Sequence, residues 1–497
     1  MASGWRIRIM VLFEVFIQIL GLRLSMISPR PIIIGAGPTG LATAIMLAKR
    51  GYSNIQVFDK LSQPPSPDDI SVWCSSEGER NYNIGLSGRG QKAMQALGVL
   101  DKVRLYAAEV VGRKEWTPRS PHEPVVSFYT GRTYPSRILQ RDRLTSVLFD
   151  EIEKKYHDRI KIHFNVVCIN AQWKHQNSEN ELCQLTLKDV STKSPLIFYE
   201  ESDFVIGADG TQSAVREAID KSKAKKSFSI KRFHDTNVRV YKTIPLHFPP
   251  NDPNFRKDLN YSVRLKAGYN LEALPTKEGL YLGVFIFRPD DMTVASITTG
   301  TQAKTFLESY FPMYKGCFLD SDLEAFAKKN YSYFPKFTFS GPNLHHGRTV
   351  ALLGDCIHSV KPFFALGVNS AFEDVIYLNN SLSRANDNVP LALADYSASH
   401  GKDAKAMVEI AKNLDGGFLS FIFPLILDSI FHKALPFVFS PNILQSLNNE
   451  NRSFRQIQLR KRFDRLVQIC VGGAFVWVFR FFMKRVALSV PGTLVWV

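Results

Sequence analysis

The sequence predicts an α/β fold, with a Rossmann-like core interlocked with an antiparallel sheet and followed by a helical, hydrophobic tail. Three observations predict it. An apolar strand meets a glycine-punctuated turn and a small-residue helix in "RPIIIGAGPTGLATAIMLAKRGYSNIQVFDK". Short alternating runs of β-branched and aromatic residues, such as "NVRVYKTIPL", "NYSVRLKAGYNLEALP" and "GLYLGVFIFRP", fill residues 230–340. Near the end, "GGFLSFIFPLILDSIFHKALPFVF" and "LVQICVGGAFVWVFRFFM" are apolar on nearly every side.

At 497 residues the chain can bury a full core and an enclosed pocket. Its formal charge of +16 suits anionic ligands, an acidic membrane surface or nucleic acid. The distribution decides among them. In "NRSFRQIQLRKRFDRL" six basic residues, Arg452, Arg455, Arg460, Lys461, Arg462 and Arg465, face only Asp464, directly before an apolar run. That pattern favours a membrane surface, and with no RNA or DNA motif beside it no nucleic-acid partner is expected. The six cysteines are scattered, with no CxxC pair and no framework spacing, which points to a reducing compartment and no metal.

Taken in order, residues 1–29 combine early arginines with an apolar stretch of signal or transit length, so removal and anchoring are both open. The βαβ unit follows. Gly35, Gly37 and Gly40 stand where a dinucleotide needs them, for a tight turn, for pyrophosphate approaching the backbone, and for close helix packing. Asp59, closing the second strand, is placed to accept hydrogen bonds from a ribose hydroxyl. Further on, "FVIGADGTQSAVREAI" sets Asp209 after an apolar strand and ahead of a helix, and "ALLGDCIHS" sets Gly354 and Asp355 after another.

Together these three segments resemble the fingerprints of the single-component FAD-dependent aromatic hydroxylases, the p-hydroxybenzoate hydroxylase fold family. Within it the chain is most similar to the kynurenine 3-monooxygenases, through "NYNIGLSGRGQKAMQALGV", "FLESYFP", "LLGDCIHSVKPFFALGVNSAFED" and the tail. The resemblance implies an FAD-binding domain interlocked with a substrate domain, and FAD as cofactor. It also implies NADPH and O2 as co-substrates and a small aromatic substrate. Asp355 would hold the FAD ribityl chain, with Gly354, Gly367 and Val368 beside it; Arg141 and Asp209 would also contact the cofactor. Arg113, helped by Tyr129, would bind the substrate carboxylate, and Asn369 would line the pocket. No protein residue is catalytic in this reading, because the cofactor carries the oxygen chemistry.

The division expected is an extension over 1–29, an FAD-binding domain over 30–230 with part of the pocket, an antiparallel-sheet substrate domain over 231–342, the Gly-Asp segment of the FAD-binding domain over 343–412, and a membrane-associated helical tail, read also as transmembrane, over 413–497. The membrane would be the mitochondrial outer membrane or the endoplasmic reticulum. Three places depart from the family. Ala365-Leu366-Gly367 replaces Gly-Gln-Gly, Lys361 takes a usually apolar place, and the residues around Asn413 to Asp415 replace a pocket-closing aromatic stretch. Alternatives carried alongside are a membrane-bound FAD epoxidase or hydroxylase of a terpenoid or quinone, and a non-catalytic FAD-binding protein. His358 is expected to be structural, and Glu373, four residues from Asn369, to face the same side of a helix.

Overall fold

The computed structural model describes residues 29–74, 82–130, 132–175, 181–222, 227–250 and 252–489. The N-terminal segment read as a leader or anchor lies, apart from residue 29, outside them.

The core is a six-stranded sheet in the order His345–His346, Val350–Leu352, Phe204–Gly207, Pro31–Ile34, Ile55–Phe58, Ile160–His163. All its pairs are parallel except the first. Parallel strands covered on both faces read as unbroken apolar runs, and Pro31–Ile34, Ile55–Phe58 and Phe204–Gly207 are buried throughout. The helix Pro38–Lys49 follows the first strand, with proline at its first position and ten of its twelve residues buried.

A second sheet of seven strands runs Ser332–Tyr333, Val240–Leu246, Tyr281–Phe287, Asn270–Pro275, Leu259–Arg264, Gly112–Thr117, Ser120–Phe128. Its last two strands come from far upstream, joined by a parallel pairing of Gly112–Thr117 with Leu259–Arg264. Its two faces differ. Leu259, Tyr261, Val263, Leu271, Ala273, Phe285 and Trp116 form one core with Phe306, Leu307, Phe311, Leu323 and Phe326 of the helices that cover this face. The register puts Arg113, Glu115, Asn260, Ser262, Glu272, Thr243 and Tyr241 on the other face. That face turns toward the parallel-sheet unit. Asn83 Nδ2 donates to the carbonyls of Leu274 and Pro275 at 2.8 and 3.2 Å, and Tyr241 stacks on Phe334, which meets Phe363 edge-on at 5.2 Å.

The tail comprises Phe418–Ile422, Phe423–Ala434, Ile443–Leu447 and the 36-residue helix Phe454–Ser489. Its helices are present, but the transmembrane reading is not met: among the described residues no helix is long and apolar enough to cross a membrane. The long helix starts within the basic patch and carries Gln468 and Arg480 inside its apolar run. Asp428 and Asp464 are buried, and they pair with Lys461, Arg465 and Arg460. Much of the basic patch therefore neutralises carboxylates within the tail.

Candidate functional site

Gly35 has φ +106°, donates its N–H to Phe58 O at 2.7 Å, and lies so close to the Asp209 turn that a Cβ would come within 2.3 Å of Ala208 O. At Gly40 a Cβ would meet Gly35 O at 1.8 Å, so the turn and the helix can pack only as glycines. Gly37 is the N-cap of Pro38–Lys49, with no side-chain cap on the helix's free N–H groups. A helix end so exposed, with positive dipole, suits a pyrophosphate. Asp59 accepts from the N–H of Ala36 at 2.5 Å and of Leu61 at 2.7 Å, which locks the carboxylate at the strand end beside the turn.

The other two fingerprints converge here. Asp209 accepts from Ala214 N at 2.7 Å and from Cys356 Sγ at 3.3 Å, tying the Asp-Gly and Gly-Asp turns together. Gly354, at φ +67°, packs against Thr39, where a Cβ would lie 2.8 Å from its hydroxyl. A Cβ at Gly367 would lie 3.9 Å from Asp355, and one at Gly37 would lie 3.8 Å from Arg141. Burial raises the Asp355 carboxyl above the usual range, with Arg141 and His358 opposing. Arg141, lowered by burial, is carried above its ordinary value by Tyr82, Asp142 and Asp355. Gly367 and Val368 open the helix Leu366–Arg384, whose N-terminus also has no side-chain cap. Two uncapped helix ends, an acid at each, and an arginine between them fit a long anionic dinucleotide. The residues expected to hold FAD thus gather into one cradle.

Behind the Gly-Asp turn, Asp374 is fully buried and accepts from Gly354 N at 2.7 Å, His358 Nε2 at 2.8 Å and His400 Nε2 at 2.5 Å. Burial opposes its charge, but the two histidines hold the carboxyl well below its usual range; Asp374 in turn raises His358 against burial. These three side chains are close enough to suggest metal ligands. Their contacts have hydrogen-bond lengths, and the carboxylate already fixes the turn through Gly354, so the cluster reads as a brace.

The substrate residues divide. Tyr129 N–H bonds Val111 O at 2.8 Å and Arg113 faces Ser127, so Arg113 and Tyr129 share the sheet face turned to the cradle. The Tyr129 ring carries the Arg132 guanidinium at 4.0 Å. Arg113 is held by Ser262 Oγ at 2.8 Å and lies 3.5 Å from both Glu115 and Glu272. Asn369, expected to line the pocket, is instead buried and its carboxamide is spent on backbone: Nδ2 donates to Gly85 O and Ala365 O, and Oδ1 accepts from Ser87 N. It staples the strand Asn83–Leu86 to the Gly-Asp helix. Glu373 pairs at 3.0 Å with the buried Arg89, which also binds the carbonyls of Asn449 and Arg452.

Lys361 is buried, its ammonium bonded to Asp235 at 2.9 Å, Asp415 at 2.7 Å and Asn237 O at 2.7 Å. Two of the departures from the family, at 361 and 415, are therefore the two ends of one ion pair. Sequence reasoning missed Tyr82, which lies among Arg141, Asp355 and Tyr241. Burial pushes its phenol up to about 12, so it stays protonated as a donor between cradle and sheet. Only its adjacency to "NIGLS" could have marked it.

Residues 84–411 match the FAD binding domain family, and residues 33–83 match the NAD(P)-binding Rossmann-like domain. Similar curated proteins include kynurenine 3-monooxygenase of Candida albicans, 26% identical over 388 residues covering 76% of this chain and 78% of that protein. Its counterpart in Saccharomyces cerevisiae is 26% identical over 76% of this chain and 79% of its own length. Among solved structures, 2-methyl-3-hydroxypyridine-5-carboxylic acid oxygenase superposes with a TM-score of 0.57 at 20% identity over 78% of this chain and 91% of that one. PqsL of P. aeruginosa, complexed with 2-aminobenzoylacetate, gives 0.56 at 18% over 78% and 95%. With the cradle assembled and two thirds of its length matched, this chain belongs to the FAD binding domain family and is an FAD-dependent monooxygenase resembling the kynurenine 3-monooxygenases.

Proposed function

We propose that the protein uses NADPH and O2 to hydroxylate the ring of a small aromatic amino acid, L-kynurenine or a close analogue, in the space between the cradle and the charged face of the seven-stranded sheet. Bound FAD supplies the reductive activation of oxygen and its transfer. The chain's own residues bind, orient and exclude water. Arg113 takes the substrate carboxylate in its planar fork, Tyr129 lies on the same face, and Tyr82 offers a proton donor beside Asp355. Phe363 and Phe334 wall the far side.

The observation that carries this reading is the placement of Arg113 on the cradle-facing side of the sheet with charged neighbours, Glu115 and Glu272. Such a face suits an amino acid and opposes a terpenoid or quinone, which would strip water from those charges without replacing it. NADPH oxidation by the FAD-loaded protein is expected to be stimulated by L-kynurenine, and Arg113→Ala to raise KM by about tenfold or more, the cost of a lost charged hydrogen bond. A wild-type protein unmoved by L-kynurenine would remove that substrate and leave the monooxygenase standing.

The tail is proposed to lie on a membrane, that of the mitochondrial outer surface or the endoplasmic reticulum. Supporting this, Phe437 is 100% exposed, Leu419 80% and Ile469 70%, a density of bare apolar groups that water disfavours. Co-sedimentation with anionic phospholipid vesicles, reduced by Leu419→Ser with Phe437→Ser, is the expected outcome.

A further inference from the structure

The geometry points to Glu272 as the group that recognises the α-ammonium of the substrate, making this site selective for amino acids over the corresponding deaminated acids. The inference rests on the reading that the substrate is an amino acid related to kynurenine.

Four charged side chains meet on the cradle-facing side of the large sheet. Cross-strand register places Ser262 opposite both Glu115 and Glu272, and Arg264 opposite Asn270. Arg113 Nη2 donates to Ser262 Oγ at 2.8 Å, and the Ser262 hydroxyl donates to Glu272 Oε1 at 2.7 Å. Arg113 also stands 3.5 Å from Glu115 Oε1, and Arg264 forms an ion pair with Glu115. Two cations and two anions leave the group neutral.

The contacts are electrostatic more than hydrogen-bonded. At 3.5 Å neither glutamate forms a sound hydrogen bond to Arg113, and the buried Arg113 Nε has no partner. Asn260 Oδ1, on the same face, is also buried and unpartnered. An arginine surrounded by carboxylates it does not properly bond has donors to give a ligand. A carboxylate arriving alone, however, adds a third negative charge beside two glutamates. A zwitterion does not: its carboxylate goes to Arg113, and its ammonium, one carbon away, goes to a carboxylate already at the same guanidinium. Of the two, Glu115 is ion-paired with Arg264 and the less exposed, at 21% of its side chain, whereas Glu272, which meets Arg113 and the Ser262 hydroxyl and feels Arg264 only through space, is 33% exposed. Glu272 is therefore the one more open to an arriving ammonium.

The test titrates the FAD-loaded full chain with L-kynurenine and with its desamino analogue, 4-(2-aminophenyl)-4-oxobutanoate, following the flavin absorbance change. The wild type is expected to bind L-kynurenine more tightly by at least about tenfold, the worth of one charged contact. In Glu272→Gln that ratio should fall to about one, chiefly by weakening L-kynurenine, and Glu272→Asp should restore part of it; thermal melting confirms that each variant is folded. An unchanged ratio in Glu272→Gln, or equal binding of the two ligands by the wild type, overturns the role of Glu272 while the substrate reading survives. If neither ligand perturbs the wild-type flavin, both fall together.

Discussion

The cradle and the charged face of the large sheet are made differently. The cradle is a matter of backbone. Gly35, Gly40 and Gly354 have no room for a methyl group, Asp59 and Asp209 receive main-chain N–H groups, and the two helix ends are left open. The sheet face is a matter of side chains, four of them charged, balanced against one another across strands as distant in sequence as those of Arg113 and Glu272. Backbone geometry demands particular residues at fixed spacing, whereas charge balance can be met by many combinations. The first kind of site announces a cofactor class; the second is the kind that can discriminate among substrates.

The sharpest way to break this contrast is at Gly40. A Cβ there would overlap Gly35 O at 1.8 Å, so Gly40→Ala is expected to purify without flavin, judged by the ratio of flavin to protein absorbance, whatever substrate is added. Retained flavin would mean that the cradle tolerates side-chain bulk as the sheet face does.

Next in size is Lys361. Replacing it with Met leaves Asp235 and Asp415 facing each other without a cation in a buried place, and destabilisation of about 3–5 kcal/mol is expected in urea unfolding. Adding Asp235→Asn and Asp415→Asn should recover most of the loss. If the single substitution is harmless, the ion pair is ornament and the cradle alone holds this region together.

The brace behind the Gly-Asp turn has a pH signature. Asp374 raises His358, so the stability His358 contributes is complete below its ordinary pKa of about 6.5 and is lost as pH rises through its higher folded value. The lowered Asp374 behaves oppositely: its contribution is present above the ordinary carboxylate range and disappears only as pH falls through its depressed folded value. The melting temperature of the wild type should therefore decline from about pH 6.5 upward relative to His358→Gln. Parallel curves would show that His358 does not titrate with folding.

The smallest effect is expected at Ala365. It sits at φ +51°, in the left-handed region, where the resembled family has glycine. Ala365→Gly should stabilise by about 0.5–1 kcal/mol in the same urea assay, relief of strain outweighing added chain freedom.

What could be read from the sequence follows the same division. Gly35, Gly37, Gly40, Asp59, Asp209, Gly354 and Asp355 were legible because each answers a local geometric demand, and the structure gathers them. Strands 112–117 and 120–128 belong to the large sheet through pairings that no local pattern signals. Asn369 is a pocket residue by resemblance and a backbone staple by structure, since nothing in "GVNSAFED" tells which way an amide points. Lys361 and Asp415 each looked like an isolated oddity; only their meeting explains either.

Arg89 ties these regions to the tail. It stacks on Phe454, pairs with Glu373 of the Gly-Asp helix, and binds the carbonyls of Asn449 and Arg452, while Asp415 holds Lys361 and Phe421 meets Phe364. A shortened chain ending at residue 412, the obvious choice for easier recombinant production, would remove a salt-bridge partner, two carbonyl acceptors and two aromatic neighbours from the residues around the flavin. Poor yield or colourless protein from such a chain would then report damage to the cofactor site, and should not be credited to the loss of a membrane.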